Sequence, residues 1–170
     1  MVTAPSDPVR FLRPLNAPMG DGFGYPGGRL HTGIDFPAPM GAFVGAAGRG
    51  VVSFAGWNSG GYGNLVVVTH RLGFESWYAH LSSISAWLGE SVIGGSAIGR
   101  VGSTGHSTGP HLHFEVRQFG TPIDPLPRLL SATAARTAVR PKSHRRCRPN
   151  ADARSRRNVD PPVARLDRCP

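Results

Sequence analysis

Glycine and proline interrupt this chain at such short intervals that long helices do not fit between them. The 170 residues include 23 glycines and 16 prolines, and apolar residues show no sustained helical period. Apolar, β-branched and aromatic residues instead form short runs separated by glycine-rich turns, which is typical of β-strands. These runs lie at 42–47, 51–57, 65–70 and 75–81. We therefore predict an all-β fold.

Charge divides the chain into a near-neutral body and a basic tail. Residues 1–130 carry 8 basic and 7 acidic side chains, whereas residues 131–170 carry 11 and 3. The tail has few large apolar residues, so burial cannot offset its chain entropy, and we expect it to be disordered. Both cysteines, Cys147 and Cys169, lie in it. The body therefore has no thiolate for a metal or a disulfide, and its charge balance does not favour nucleic-acid binding.

The expected organisation has three parts. Residues 1–22 form an extended N-terminal segment, residues 23–128 form the folded domain, and residues 129–170 form the Arg/Pro-rich tail. No apolar run approaches the roughly 20 residues of a transmembrane helix. No basic region followed by an apolar one opens the chain, so a secretory signal is not visible.

One strand, around His111-Leu-His113, carries the side chains that are best suited to form a functional site. Side chains alternate between the two faces of a strand, so His111 and His113 share one face. Leu112, Phe114 and Val116 face the opposite way, toward a core. Same-face neighbours lie about 6–7 Å apart, close enough for both imidazoles to serve one site.

A second pair, His31 and Asp35, is separated by three residues. In a fully extended chain their Cα atoms would be about 13 Å apart, so both reach one ion only if the chain bends. Gly33, at the midpoint, permits a bend. The alternative is a turn in which Asp35 caps local backbone amides.

Two further histidines end strands. Alternation along residues 75–81 puts His80 on a polar face together with Ser76 and Tyr78. His70 follows another strand, next to a glycine turn, and we interpret it as a turn histidine without chemistry.

Together these motifs supply the ligands of a hydrolytic metal centre. Two imidazoles and one carboxylate leave a fourth zinc position open for water, whose pKa the metal lowers toward ~7. Two other histidines remain to move protons or stabilise an oxyanion. The residues alone do not determine which of His80, His111 and His113 are ligands.

The motifs resemble those of the lysostaphin/LytM-type zinc metallopeptidases, peptidase family M23. The resemblance spans about Phe23 to Pro125. It rests on four motifs in order, which are His31-Thr-Gly-Ile-Asp35, Tyr78-Ala-His80-Leu81, Gly102-Ser-Thr-Gly105 and Gly109-Pro-His111-Leu-His113-Phe-Glu115.

The resemblance implies an antiparallel β-sheet core with a loop-walled groove that holds one Zn²⁺ ion. His31, Asp35 and His113 match the family's zinc ligands, and His111 matches its general base. His80 matches a histidine that stabilises the transition state or positions the water, and Tyr25 lies where some members recruit a substrate-binding tyrosine.

The implied function is a zinc endopeptidase that cleaves cross-bridge or stem-peptide bonds of bacterial peptidoglycan. It further implies an extracytoplasmic location and, by expectation, a monomer. The alternative is a non-catalytic LytM-like module that binds the wall and activates another hydrolase. Four features depart from the family pattern: a short segment before His31, no visible secretion signal, no recognisable wall-targeting domain, and the basic tail, which could contact anionic polymers.

Overall fold

The computed structural model describes residues 9–130. The tail predicted to be disordered, from residue 131 onward, and the first eight residues of the N-terminal segment lie outside the described residues. Within residues 9–130 the chain forms ten β-strands and three one-turn 3-10 helices, with no α-helix. None of these helices is long and apolar enough to cross a bilayer.

The strands are β1 (Ile34–Pro37), β2 (Phe43–Gly45), β3 (Gly50–Asn58), β4 (Gly63–Thr69), β5 (Phe74–Ala79), β6 (Ser83–Ile84), β7 (Ser91–Val92), β8 (Ala97–Arg100), β9 (His111–Gln118) and β10 (Thr121–Ile123). The 3-10 helices span Pro26–Gly28, Arg71–Gly73 and Leu126–Arg128.

Strand β9 lies between β1 and β5 in the larger of two antiparallel sheets. The order in this sheet is β1-β9-β5-β4-β3-β7, and β10 also pairs with β9. The smaller sheet has the order β2-β8-β6. Every strand pair is antiparallel. The prediction of an all-β, antiparallel fold is confirmed.

The main hydrophobic core covers one face of the larger sheet. Leu112, Phe114 and Val116 of β9 are fully buried there, as the alternation predicted. They belong to the same apolar cluster as Val44 of β2 and Ile98 of β8. The core therefore packs the two sheets together, and it leaves the opposite face of β9, with both histidines, available for a site.

The N-terminal segment packs into this same core. Phe11 is 1% exposed, and Val9 and Leu15 are also buried. The backbone of Phe11 bonds to Arg128 and Leu130 near the other end of the described chain. The boundaries at residues 22/23 and 128/129 stay predictions.

Candidate metal centre and active site

Strand register brings Asp35 beside the histidines of β9. Asp35 on β1 pairs directly with His113, and Pro37 pairs with His111. On the other edge of β9, Ala79 is opposite His113. Because the Ala79 side chain is only a methyl group, it leaves space on this side of the sheet for the polar side chains around His113.

His31 reaches the same point because the chain bends between it and β1. Its backbone pairs with Gly24 of the preceding loop, while Ile34 already pairs with Phe114. Gly33 lies within this bend, and a Cβ there would overlap the Phe114 carbonyl. Glycine at this position thus serves close backbone approach as well as bending.

Three ligand atoms converge in the resulting cluster. His31 Nε2 lies 3.1 Å from Asp35 Oδ1 and 3.0 Å from His113 Nδ1. His113 Nδ1 lies 2.8 Å from Asp35 Oδ1. These are the residues for which the sequence predicted metal ligation, and the structure brings them together in a group that could hold one ion.

The hydrogen-bond partners on the far side of each ring fix its tautomer. His31 Nδ1 is 2.7 Å from the Gly22 carbonyl, which can only accept, so Nδ1 carries the proton. His113 Nε2 is 3.0 Å from Glu115 Oε1, so in the neutral ring the proton is on Nε2. The two nitrogens that face Asp35, His31 Nε2 and His113 Nδ1, then each present a lone pair. Three acceptors this close repel one another unless a proton or a metal ion lies between them, and two imidazoles with one carboxylate are a ligand set that suits zinc.

Without a metal, a proton takes that place. Burial alone would lower the pKa of His113, but its hydrogen bonds to Asp35 and Glu115 outweigh burial and raise the pKa to about 9. Burial would likewise raise the pKa of Asp35, but the neighbouring imidazoles, His113 above all, lower it. The cluster therefore favours positive charge at its centre.

Glu115 is the part of the site that our sequence analysis did not identify. It is completely buried beneath His113. Burial would raise its pKa, but hydrogen bonds from His113, Arg117 and Thr32 lower it to about 2. The signal was available, because residues 111, 113, 115 and 117 share one face of β9.

The prediction for His80 placed it on the wrong face of its strand. Ser76 and Tyr78 are fully buried in the main core, so theirs is not a polar site face. Strand β5 ends at Ala79, and His80 has a positive φ of 60°. This left-handed residue breaks the alternation, and the His80 ring lies 4.8 Å from that of His111 and 5.8 Å from that of His113.

His80 and His111 are both oriented by backbone carbonyls. His80 Nδ1 is 2.7 Å from the Thr104 carbonyl, and His111 Nδ1 is 2.8 Å from the Gly109 carbonyl. Each ring therefore donates through Nδ1 and offers Nε2 as an acceptor. Burial, followed by the nearby imidazoles, lowers the pKa of His80 to about 4, so this ring is neutral near pH 7.

Loops form the walls of the groove around these rings, as the resemblance implied. The lining residues come from the segment before β1, from the β3–β4 turn and from the loop before β9, and include Asp21, Pro26, Arg29, Gly61, Tyr62, His106 and Thr108. Tyr25 is 72% exposed and is not among the groove-lining residues. Its substrate-binding role stays a prediction.

His70 lies on the opposite side of the sheet. It is buried, with Nδ1 bonded to the Arg49 carbonyl and Nε2 to Ser76 Oγ, each at 2.7 Å. Ser76 Oγ in turn bonds to the Tyr78 hydroxyl. This chain satisfies buried polar groups, in agreement with a histidine that has no part in the site.

A groove floored by an antiparallel sheet, with two imidazoles and a carboxylate at its centre, has the architecture of a metallopeptidase. The sequence matches the model of peptidase family M23 over residues 29–125. The chain therefore belongs to peptidase family M23.

Relatives and solved structures agree with this assignment. The DD-carboxypeptidase/endopeptidase Mpg of Neisseria meningitidis is 55% identical over 98 residues, which cover 58% of this chain and 22% of Mpg. The lysostaphin catalytic domain from Staphylococcus simulans is 39% identical, with a TM-score of 0.61 over 66% of this chain and 91% of that domain. A zinc-containing peptidase from Vibrio cholerae is 35% identical, with a TM-score of 0.62 over 69% of this chain and 39% of its own.

Proposed function

We propose that this protein is a zinc-dependent endopeptidase that hydrolyses peptide bonds of bacterial peptidoglycan. The observation that carries the proposal is that acceptor atoms from His31, Asp35 and His113, one from each, lie within 3.1 Å of one another. The other ring nitrogen of each histidine is already hydrogen-bonded. The names of the relatives support a peptidase, because Mpg is a DD-carboxypeptidase/endopeptidase and lysostaphin is an antimicrobial peptidase. The chain covers only 22% and 26% of these relatives, so their substrates are carried over as a proposal.

His31, Asp35 and His113 would hold the zinc ion. When bound, zinc supplies Lewis acidity and makes a water molecule acidic enough to be deprotonated near neutral pH. His111 offers Nε2 on the same side of the sheet, 3.8 Å from Asp35 Oδ2. In our proposal this nitrogen accepts the proton of the attacking water and later gives it to the leaving amine.

For His80 we propose one of the two roles that the resemblance implies. Its Nδ1 proton is committed to the Thr104 carbonyl, and its pKa of about 4 leaves Nε2 unprotonated. A neutral ring in this tautomer can accept a hydrogen bond but cannot donate one to an oxyanion. Of the two roles implied by the resemblance, we therefore favour positioning of the water.

The setting of this reaction follows from its substrate. Hydrolysis of peptidoglycan requires an extracytoplasmic location, and we expect a monomer because one chain supplies every residue of the site. The basic tail could contact anionic polymers, and such an attraction would weaken with salt. The choice between cross-bridge and stem-peptide bonds depends on the groove loops.

The test separates metal binding from proton transfer. Purified wild-type protein, His111→Ala and His113→Ala are incubated with peptidoglycan, with and without a zinc chelator, while released amines and bound zinc are measured. We expect His111→Ala to keep stoichiometric zinc and to lose roughly 10²–10⁴-fold in rate. His113→Ala should lose both zinc and activity.

Two results would count against the proposal. Normal turnover by His111→Ala would refute its role as base. Zinc-loaded wild-type protein that releases no fragments from peptidoglycan would favour the non-catalytic wall-binding module instead. Fragment masses identify the bond cleaved.

A further inference from the structure

We propose that Arg117 is a positioning residue for the metal centre, acting through Glu115 on the imidazole of His113. This inference rests on the proposed function, since it concerns the same metal ligand. It adds a third layer of residues, Arg117 together with Tyr62 and Trp77, behind the ligand and its carboxylate.

Glu115 is held at both oxygens, each by a different set of donors. Oε1 receives His113 Nε2 at 3.0 Å, the Tyr62 hydroxyl at 2.8 Å and the Thr32 hydroxyl. Oε2 receives Arg117 Nε at 2.7 Å. The carboxylate therefore cannot rotate without breaking a bond on each side, and its direction sets the direction of the His113 ring.

Arg117 is itself fixed from three sides. Its Nε bonds to Glu115, its Nη2 bonds to the Tyr62 hydroxyl at 2.8 Å, and its guanidinium lies 3.7 Å from the centroid of the Trp77 ring. Tyr62 also packs edge-on against Trp77 and thereby closes the arrangement. A planar guanidinium fits such a site because it stacks on an aromatic ring and donates in two fixed directions at once.

The charge of Arg117 is as important as its shape. A completely buried carboxylate costs several kcal/mol unless it is paired, and His113 cannot pair with it as a cation once it binds a metal. Between residues 9 and 130, the Arg117–Glu115 contact is the only ion pair that joins an arginine to a carboxylate. The arginine thus supplies the positive charge that Glu115 needs when His113 is neutral and ligating.

Weakening this layer should weaken metal binding. Partners that orient a ligating histidine typically change metal affinity by 10–100-fold when they are removed. Arg117→Met keeps the length and apolar stem of the side chain but removes both donors and the charge. We expect it to bind zinc about 10-fold or more weakly than the wild type, at the lower end of that range because it acts one residue further away.

The experiment compares Arg117→Met with Arg128→Met in the full-length chain. Arg128 also stacks on an aromatic ring, with its guanidinium 4.6 Å from the centroid of Phe74, but it has no contact with Glu115. Zinc affinity is measured by competition with a chromophoric chelator, and melting temperatures are measured with and without zinc. Arg117→Met should show weaker affinity and a smaller zinc-induced rise in melting temperature, whereas Arg128→Met should show neither change.

Two more variants keep the test decisive. Tyr62→Phe removes one hydroxyl between Arg117 and Glu115 and should weaken zinc binding in the same direction, even if Arg117→Met folds poorly. Arg117→Lys keeps the charge but has one nitrogen instead of a fork, so it should recover only part of the affinity.

The outcomes distinguish this inference from the proposed function. If Arg117→Met binds zinc as well as the wild type does, and its melting temperature falls by the same amount with and without zinc, then Arg117 is a purely structural residue. In that case this inference fails while the proposed function stands. If the wild-type protein itself binds no zinc, the metal centre fails and the inference fails with it.

Discussion

Histidine orientation in this protein is determined mainly by backbone carbonyls. Four rings donate Nδ1–H to a carbonyl oxygen, in the pairs His31–Gly22, His70–Arg49, His80–Thr104 and His111–Gly109. His113 differs, because its outer nitrogen bonds to a buried carboxylate. A carboxylate makes its imidazole a stronger ligand than a carbonyl does. At the scale of single residues, the metal centre is thus set apart by Glu115.

The buried ring of His70 should make stability depend on pH. Burial lowers its pKa in the folded state, whereas the unfolded chain has the ordinary value near 6.5. The unfolded state then binds more protons, so the free energy of unfolding falls as the pH drops below about 6.5. Replacement by Gln, which does not titrate, removes this dependence and costs about 1 kcal/mol at pH 7.5 through a poorer hydrogen bond.

Urea unfolding at pH 7.5 and pH 5, with a chelator present throughout, tests the expectation for His70→Gln. The stability gap between wild type and variant should shrink at pH 5. All other histidines are common to both proteins, so their titration cancels. A gap that is the same at both pH values would contradict the lowered pKa of His70.

Among the elements, the end of β5 shows where alternation stops being a guide. A period of two holds as long as the strand continues, and it placed Leu112, Phe114 and Val116 correctly in the core. It failed at His80, where a single left-handed residue turns the side chain toward the other face. Left-handed backbone is most often marked by glycine, and the enrichment of histidine among the few other residues found there is too weak a signal to place a turn at residue 80.

This left-handed turn predicts an unusual order of stability for two variants. Ala at φ near 60° suffers a steric clash that Gly avoids, worth roughly 1–2 kcal/mol. We therefore expect His80→Gly to be more stable than His80→Ala by about 1 kcal/mol. Both lack the imidazole, so both should lose peptidase activity equally. Thermal or urea unfolding of the pair decides, and an alanine variant at least as stable as the glycine variant would argue against the turn.

The β1–β9 pair depends on the absence of a side chain at residue 33. A Cβ on Gly33 would overlap the Phe114 carbonyl and crowd the Glu115 side chain, so β1 must move away from β9. For Gly33→Ala we expect a loss of stability of about 1–3 kcal/mol, as for overpacking in a core, and weaker zinc binding because Asp35 moves with β1.

Gly56→Ala is a suitable control for Gly33→Ala, because Gly56 lies in β3 outside the groove and a Cβ placed there meets only the Phe54 ring, at 3.9 Å. Chelator competition and urea unfolding are measured for both variants. If Gly33→Ala keeps full zinc affinity, the bend at residue 33 does not determine where Asp35 lies.

For the molecule as a whole, the sequence predicted the fold class, and the resemblance of its motifs to peptidase family M23 pointed to the cluster of His31, Asp35 and His113, but neither indicated the layers that support them. The metal-centre motifs are short, ordered along the chain and carried largely by strands whose register follows from burial. The supporting contacts join residues far apart in sequence, such as Tyr62 with Glu115 and Arg117. Such pairs leave no periodic signal, because they depend on how the β3–β4 turn closes over the sheet.

The burial of the N-terminal segment is another feature that the sequence did not predict. Proline in the first residues predicted an extended segment that precedes the domain, yet Phe11 is 1% exposed. Its ring packs edge-on against His70 and Phe74, with centroids 5.1 Å and 6.1 Å away. Its backbone also bonds to Arg128 and Leu130. Phe11 thus links the N-terminal segment to the C-terminal end of the described chain.

If residues 9–15 are part of the folding unit, Phe11→Ala should cost about 3–5 kcal/mol, the usual loss for a buried phenylalanine. Leu88→Ala is the control, because Leu88 is 69% exposed and its truncation should change stability by less than about 0.5 kcal/mol. Urea unfolding followed by tryptophan fluorescence measures both variants, and an unchanged slope with urea shows that the same cooperative unit unfolds. A cost below about 1 kcal/mol for Phe11→Ala would mean that the segment only lies against a domain that is stable without it.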